Sequence, residues 1–216
     1  MGWKSSLSIP YAGYVTKRMY RAHRNFDRVQ QKVLEGLIQS AKNTRFGKDH
    51  HFDKINSYQD FKKQVPIRGY EGIETYMERV IAGEKNVLWP GLPKYFAKTS
   101  GTTSGAKYIP LTDVSVKTHI SAARNSLLSY IHNTGKSDFV DGKMIFLQGS
   151  PELDHSEKVP TGRLSGIVAN HVPSYLLSNR KPSYQTNCIS DWEEKVQAIV
   201  EETANEDMRL ISGIPP

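Results

Sequence analysis

The sequence predicts an α/β fold. Segments with apolar residues at helical spacing alternate along the chain with short runs of strand-forming residues. Gly47, Pro66, Gly83 and Gly135 fall where those helices should stop. The 216 residues, 38% hydrophobic and 24% charged, suffice to bury a core and have the ordinary composition of a soluble globular protein.

Residues 14–42 read as one helix, because Val15, Met19, Phe26, Val29, Val33, Leu37 and Ala41 recur at helical spacing. A short helix is predicted over Ser57–Lys63, with Ser57 as its N-cap and Asp60 three residues on. Tyr70–Ala82 reads as a third helix, ended by Gly83. Val87–Trp89 is a predicted strand, followed by a Pro90–Pro93 turn. Tyr95–Lys98 and Tyr108–Leu111 are two further strands around a loop. Thr112 or Asp113 then caps a long helix to about Asn133, with Val116, Ile120, Ala123, Leu127 and Ile131 on one face. Lys143–Leu147 is a buried-type strand, and residues 149–162 read as loop. Ser190–Glu193 has a capping-box pattern, opening a helix to about Asn205 with Trp192, Val196, Ile199, Val200 and Thr203 inward. Leu210-Ile211 begins a last strand. There is no internal repeat and no low-complexity tract.

Several classes of function are disfavoured. No run reaches the ~18 apolar residues of a membrane span, and the N-terminus has no secretory apolar core. Cys188 is the one cysteine, so no intramolecular disulfide forms, and a reducing, cytoplasmic setting is expected. Cys188 has no CxxC partner and reads as a small core residue rather than a nucleophile. His50-His51 with Asp53 is not read as a metal site, because adjacent histidines rarely reach one ion. The net charge of +7 is uneven: residues 1–48 hold ten Lys/Arg and two Asp/Glu, leaving the rest near neutral. A basic segment suits nucleic acid or an acidic membrane surface. Without a groove-reading motif it is read as a solvated helix face, and no nucleic-acid partner is expected.

The candidate site is Lys98-Thr99-Ser100-Gly101-Thr102-Thr103-Ser104-Gly105-Ala106-Lys107. Two glycines permit a tight turn and close approach to a ligand. Five hydroxyls supply short donors for phosphate oxygens, and two lysines add positive charge. A P-loop is excluded by spacing: counted from Gly101, Ala106 replaces the second glycine and Tyr108 the magnesium-binding hydroxyl. The segment also runs into strand-like Tyr-Ile-Pro-Leu, whereas a P-loop opens a helix. A plain turn that binds nothing remains open on composition alone.

Thr99–Lys107 resembles the phosphate-holding signature of the adenylate-forming superfamily. Ser104-Gly105-Ala106 departs from the usual Gly-x-Pro, and that variation is similar to the Gretchen Hagen three family of auxin-responsive acyl-acid amido synthetases and its bacterial relatives. Ala41–Lys48, Val65–Glu71 and Gly83–Gly91 resemble the same family's approach to this loop. The chain is accordingly identified as a bacterial-type member, and the resemblance is densest over residues 41–112.

That resemblance implies two half-reactions using ATP and Mg2+. A carboxylic acid attacks the α-phosphate to give an acyl-adenylate and pyrophosphate, and an amine or amino acid then displaces AMP to form an amide. It implies that Thr99, Ser100, Gly101, Thr102, Thr103, Ser104, Gly105 and Lys107 hold ATP phosphates, with Lys98 as a second cation. It also implies acyl-substrate candidates: Arg124 on the long helix, and Ser165 and His171 in the segment Leu164–Pro173. Surface and hydrogen-bonding roles remain the alternatives for Arg124 and His171. The adenine/magnesium and ribose/hinge signatures of the superfamily do not occur, Tyr70–Glu74 being only a superficial echo of the former. The expectation is therefore an incomplete N-terminal part of the large ATP/acyl-binding domain, inactive alone, with a basic helical lead-in over 1–48 and a strand–loop–strand unit over 87–112. The rival readings are an adenylate-forming ligase that passes the acyl group to coenzyme A, and a non-catalytic nucleotide-binding or basic interaction domain.

Overall fold

The computed structural model describes residues 2–99, 107–172 and 177–213. Two three-stranded sheets, flanked by helices, organise the chain. In the first, β1 (Tyr95–Lys98) lies between β2 (Tyr108–Leu111), antiparallel, and β4 (Thr161–Gly162), parallel. In the second, β3 (Lys143–Leu147) lies between β5 (Arg180–Lys181) and β6 (Met208–Gly213), both parallel to it. The α/β fold expected from sequence, a mixed sheet flanked by helices, is thus built on two small sheets, and no described strand pairs across both.

The basic lead-in is two helices, α1 (Trp3–Arg24) and α2 (Phe26–Ala41), not one helix over 14–42. Asn25 breaks the helical run, with φ −115° and ψ 36°, while its side-chain amide donates to the Arg21 carbonyl at 2.8 Å. Such side-chain bonding to the backbone competes with helix continuation. The break disposes of the continuous apolar face: Met19, Phe26, Val33 and Leu37 are exposed, and α2 instead buries Ile38 and Ala41 with Phe52 and Ile55. At its other end α1 is anchored by the Asp141 carboxylate, which accepts from the Gly2 and Ser5 N–H groups at 2.7 and 3.2 Å. Those are donors that a helix start leaves unpaired.

α3 (Arg45–Asp49) begins at Thr44, whose hydroxyl accepts from Gly47 N–H at 3.0 Å and donates to the Ala41 carbonyl at 2.7 Å. The N–H groups of Arg45 and Phe46 donate to the carbonyls of Asn86 and Val87. This is why Val87–Trp89 is not the expected strand: its backbone serves the start of α3 rather than a sheet ladder. Thr44 is buried, so Thr44→Ala strands the Gly47 N–H, while the Ala41 carbonyl keeps its bond from the Thr44 N–H, and should cost about 1–2 kcal/mol. Urea denaturation checks this, with a lowered midpoint at unchanged slope as the expected result.

Local signals elsewhere agree with the sequence. Ser57 caps α4 (Tyr58–Gln64) by accepting from Asp60 N–H. The third predicted helix divides into a single 3-10 turn at Tyr70–Gly72 and α5 (Glu74–Ile81), and Gly83 follows at φ +86°. Thr112 caps α6 (Asp113–Thr134), which ends at Gly135 with φ +71°, where glycine alone carries no steric penalty. α6 packs Leu128 and Ile131 against Ala12 of α1, with Phe139 and Met144 beneath.

α7 (Leu164–Ala169), α8 (Tyr184–Cys188) and α9 (Trp192–Thr203) complete the described helices. α9 is capped by Asp191 but is rotated from expectation, leaving Trp192, Val196 and Val200 exposed. The inward residues include Lys195 and Glu202. Lys195 donates to the Asn187 carbonyl at 2.6 Å, and Glu202 accepts from Ser183 N–H and from the Thr186 hydroxyl. Satisfying the two ends of α8 decides which face of α9 turns in, because a buried polar group without a partner costs more than an exposed valine.

Candidate functional site

The hydroxyl-rich segment joins β1 to β2. Lys98 lies opposite Tyr108 in the ladder, and one bond beyond it the Thr99 N–H donates to the Lys107 carbonyl at 3.0 Å. The two ends of the loop are therefore fixed side by side on the sheet. Ser100, Gly101, Thr102, Thr103, Ser104 and Gly105 lie outside the described residues.

Lys107 is placed by Tyr70. Its ammonium sits 5.3 Å from the Tyr70 ring centroid, over the ring face. The Tyr70 hydroxyl accepts from the Tyr108 N–H at 3.4 Å, a long bond that ties the ring to β2. Tyr70 packs in turn on the cluster of Met77, Val80, Val87, Phe96 and Val159. Lys98 is exposed at the end of β1, and its charge helps hold the Asp154 carboxyl below the usual carboxylate range, after the larger effect of hydrogen bonds from Ser156. Asp154 pairs with Thr161 across a narrow turn that brings β4 to β1. The mouth of the loop thus carries two lysines, one anchored on an aromatic face. Among the described residues no cluster of His, Cys, Asp or Glu could hold a metal ion.

The acyl candidates are dispersed. Arg124 is exposed on α6, and its guanidinium meets the neighbouring Asn125 side chain at 3.1 Å. Ser165 accepts from the Gly149 N–H at 3.2 Å, so it secures the exit of β3 against α7. His171 bonds the Tyr95 hydroxyl at 3.0 Å and meets that ring edge-on. Tyr95 is the opposite end of β1 from Thr99, so His171 does not join the loop mouth.

Burial, and to a lesser degree the Lys94 ammonium, push the His171 imidazole below the ordinary histidine range, while Asp113 opposes them. A lowered folded-state value means its contribution to stability is present above the unfolded pKa of about 6.5 and is lost as pH falls through the folded value. Denaturant midpoints measured on descending from neutral pH should therefore fall less steeply in His171→Phe than in the parent.

One cavity was not anticipated. It has a volume of about 330 Å³ and opens between α7, β5 and α8, lined by Pro151, Ala169, Arg180, Pro182, Tyr184 and Asn187 among others. Arg180 donates to the Ala169 carbonyl at 3.1 Å, and burial pulls its pKa down, which marks a charge short of solvent. Asn187 is 1% exposed, and its side-chain oxygen has no hydrogen-bond partner among the described residues. No sequence signal marked either residue, because the cavity they line is made by packing and not by spacing.

Comparison with known proteins supports the fold and places the chain in a family. A profile described as the GH3 family N-terminal domain matches residues 15–197. Indole-3-acetic acid-amido synthetase GH3.15 of Arabidopsis thaliana is 32% identical over 117 residues, covering 53% of this chain and 20% of that protein. The 4-substituted benzoates-glutamate ligase GH3.12 of the same plant is 33% identical over 84 residues, 38% of this chain and 14% of that protein. The solved structure of the GH3.15 acyl acid amido synthetase superposes with TM-score 0.66 at 20% identity, covering 81% of this chain and 31% of that one. The chain therefore spans less than a third of the length of these relatives. With 183 consecutive positions inside the family profile and the fold of its N-terminal part reproduced, this chain belongs to the GH3 family.

Proposed function

We propose that the chain is the N-terminal part of the large ATP- and acyl-binding domain of an amide-forming ligase, which adenylates a carboxylic acid and passes the acyl group to an amine or amino acid. The observation that carries this reading is the pinned mouth of the β1–β2 loop: Thr99 bonded to Lys107, and Lys107 held over Tyr70, in a GH3 family member. Adenylation moves negative charge onto the departing pyrophosphate. Pre-placed donors and cations lower that barrier because they need no reorganisation as the charge develops. Lys107 is the cation positioned for this, and Lys98 adds field at the same mouth. The loop hydroxyls of residues 99–104 and the N–H groups of residues 100–105 would hold the phosphates, the Thr99 N–H being taken by Lys107.

ATP supplies the leaving group when bound. Mg2+ is expected with it, and no ligands for the ion are assigned on this chain. The cavity beside Arg180 and Asn187 is of a size that takes a small organic acid. It offers a guanidinium for a carboxylate and an amide oxygen for a hydroxyl or N–H donor.

The test is acid-dependent ATP–pyrophosphate exchange by the protein expressed from its natural coding sequence, followed by product analysis with amino acids and with coenzyme A. Exchange and an amide product are expected; a thioester product would assign the second half-reaction to the coenzyme A ligases. The 216 residues alone are expected to bind ATP without sustained turnover.

A further inference from the structure

The first helix packs Val15 on the core but leaves its largest apolar side chains outside it. Ser5, Ala12 and Thr16 face inward and are 0% exposed. Trp3, Leu7 and Tyr14 point the other way, at 71%, 62% and 59% exposure. Positions 3, 7, 14, 18 and 21 share one helical face. That stripe therefore runs from Trp3, Leu7 and Tyr14 directly into Arg18 and Arg21. The Arg18 guanidinium lies 5.7 Å from the Tyr14 ring centroid, so the apolar and basic halves adjoin.

Beyond that point the helix is held to the body by the Tyr20 hydroxyl, which donates to the Asn133 side chain of α6 at 3.3 Å. Every residue from Lys17 to Arg28 is exposed, across the end of α1 and the start of α2. The stretch holds Lys17, Arg18, Arg21, Arg24 and Arg28 against Asp27 alone, and none of these cations forms an ion pair among the described residues. Phe26 is exposed at its tip.

We propose that this face of α1, with the α1–α2 corner, rests on the surface of an anionic lipid bilayer. Charge complementarity and side-chain type both favour that occupant. Guanidinium and ammonium groups pair with headgroup phosphates and carboxylates. Tryptophan and tyrosine are at home at the headgroup level, and leucine and phenylalanine gain only where hydrocarbon is within reach. A nucleic acid has use for the arginines but none for Leu7, Val33 or Leu37, which are also exposed. None of the described helices is long and apolar enough to cross a membrane, so the contact lies in the plane of the surface.

Cosedimentation of the protein expressed from its natural coding sequence with vesicles tests this, using phosphatidylcholine alone and phosphatidylcholine mixed with phosphatidylserine. Binding to the mixed vesicles is expected, falling steeply with added salt. Arg18→Glu/Arg21→Glu should weaken it by about fivefold or more for each charge removed. Trp3→Ala/Leu7→Ala should weaken it on the order of tenfold at low salt. Both variants alter outward side chains, and far-UV circular dichroism should match the parent. The proposal is overturned by no binding to the mixed vesicles, or by binding that neither variant changes. Preferential capture of a duplex oligonucleotide, or self-association through Trp3 and Leu7 without vesicle binding, would also overturn it.

Discussion

Replacing Lys107 by alanine is expected to lower acid-dependent ATP–pyrophosphate exchange by about 10²–10³-fold, the usual loss when one pre-placed electrostatic group is removed from a developing charge. The proposed role is specific to this lysine because of its geometry. Its ammonium is positioned over Tyr70, and its carbonyl closes the loop on Thr99. The backbone bond survives the substitution, so the loss should appear in turnover without a change in folding. Lys98→Ala removes a cation that has no such anchor and should cost far less. Tyr70→Leu keeps Lys107 but removes its platform, and an intermediate loss is expected. Equal effects of Lys98→Ala and Lys107→Ala would mean that general field, and not placement, matters at the loop mouth.

Gly166→Ala should, with Gly47→Ala, be among the most damaging single-methyl changes to the folding of the described residues. A Cβ at Gly166 would lie 2.1 Å from the Ser150 carbonyl oxygen and 3.0 Å from its carbon. Backbone cannot swing aside as a side chain can, so α7 must lift from the exit of β3. Overpacking of this kind costs about 3 kcal/mol or more, a fall in melting temperature of roughly 6–12 °C for a chain of this length. The consequences reach the candidate acyl region. Ser165 would lose its bond from Gly149, and Ala169, whose carbonyl holds Arg180, would shift. Gly91→Ala serves as the contrast: no atom lies within 4 Å of its added Cβ, so the penalty there is only that of a positive φ.

What was legible in the sequence was what is decided locally. Ser57 with Asp60, Thr112 before α6, and Gly135 after it each act within four residues, and each stands where the pattern places it. The β1–β2 pair was readable because a short loop joins its strands. Misreadings arose where distant partners decide. Asn25 ends α1 by bonding back to Arg21, a choice that periodicity alone does not register. Val87 looks like strand but gives its carbonyl to Phe46, 41 positions earlier. Trp192, Val196 and Val200 were expected inward, yet the polar needs of Ser183, Thr186 and Asn187 turn α9 the other way.

The candidate site divides in the same manner. The phosphate-binding chemistry proposed for it is written in one contiguous segment, whereas the platform under Lys107 comes from Tyr70, far back in the chain. Arg180 and Asn187 went unnoticed because a cavity is a property of packing, and no spacing rule encodes it.

The most direct test of the phosphate-grip assignment is amine-reactive labelling of Lys107, read by mass spectrometry with and without saturating ATP and magnesium. The protein from its natural coding sequence is labelled, and exposed Lys117 and Lys136 serve as internal references. If Lys107 holds phosphate, ATP protects it strongly, pyrophosphate protects it in part, and the two references label unchanged. Labelling of Lys107 that stays equal with and without bound nucleotide would contradict the assignment.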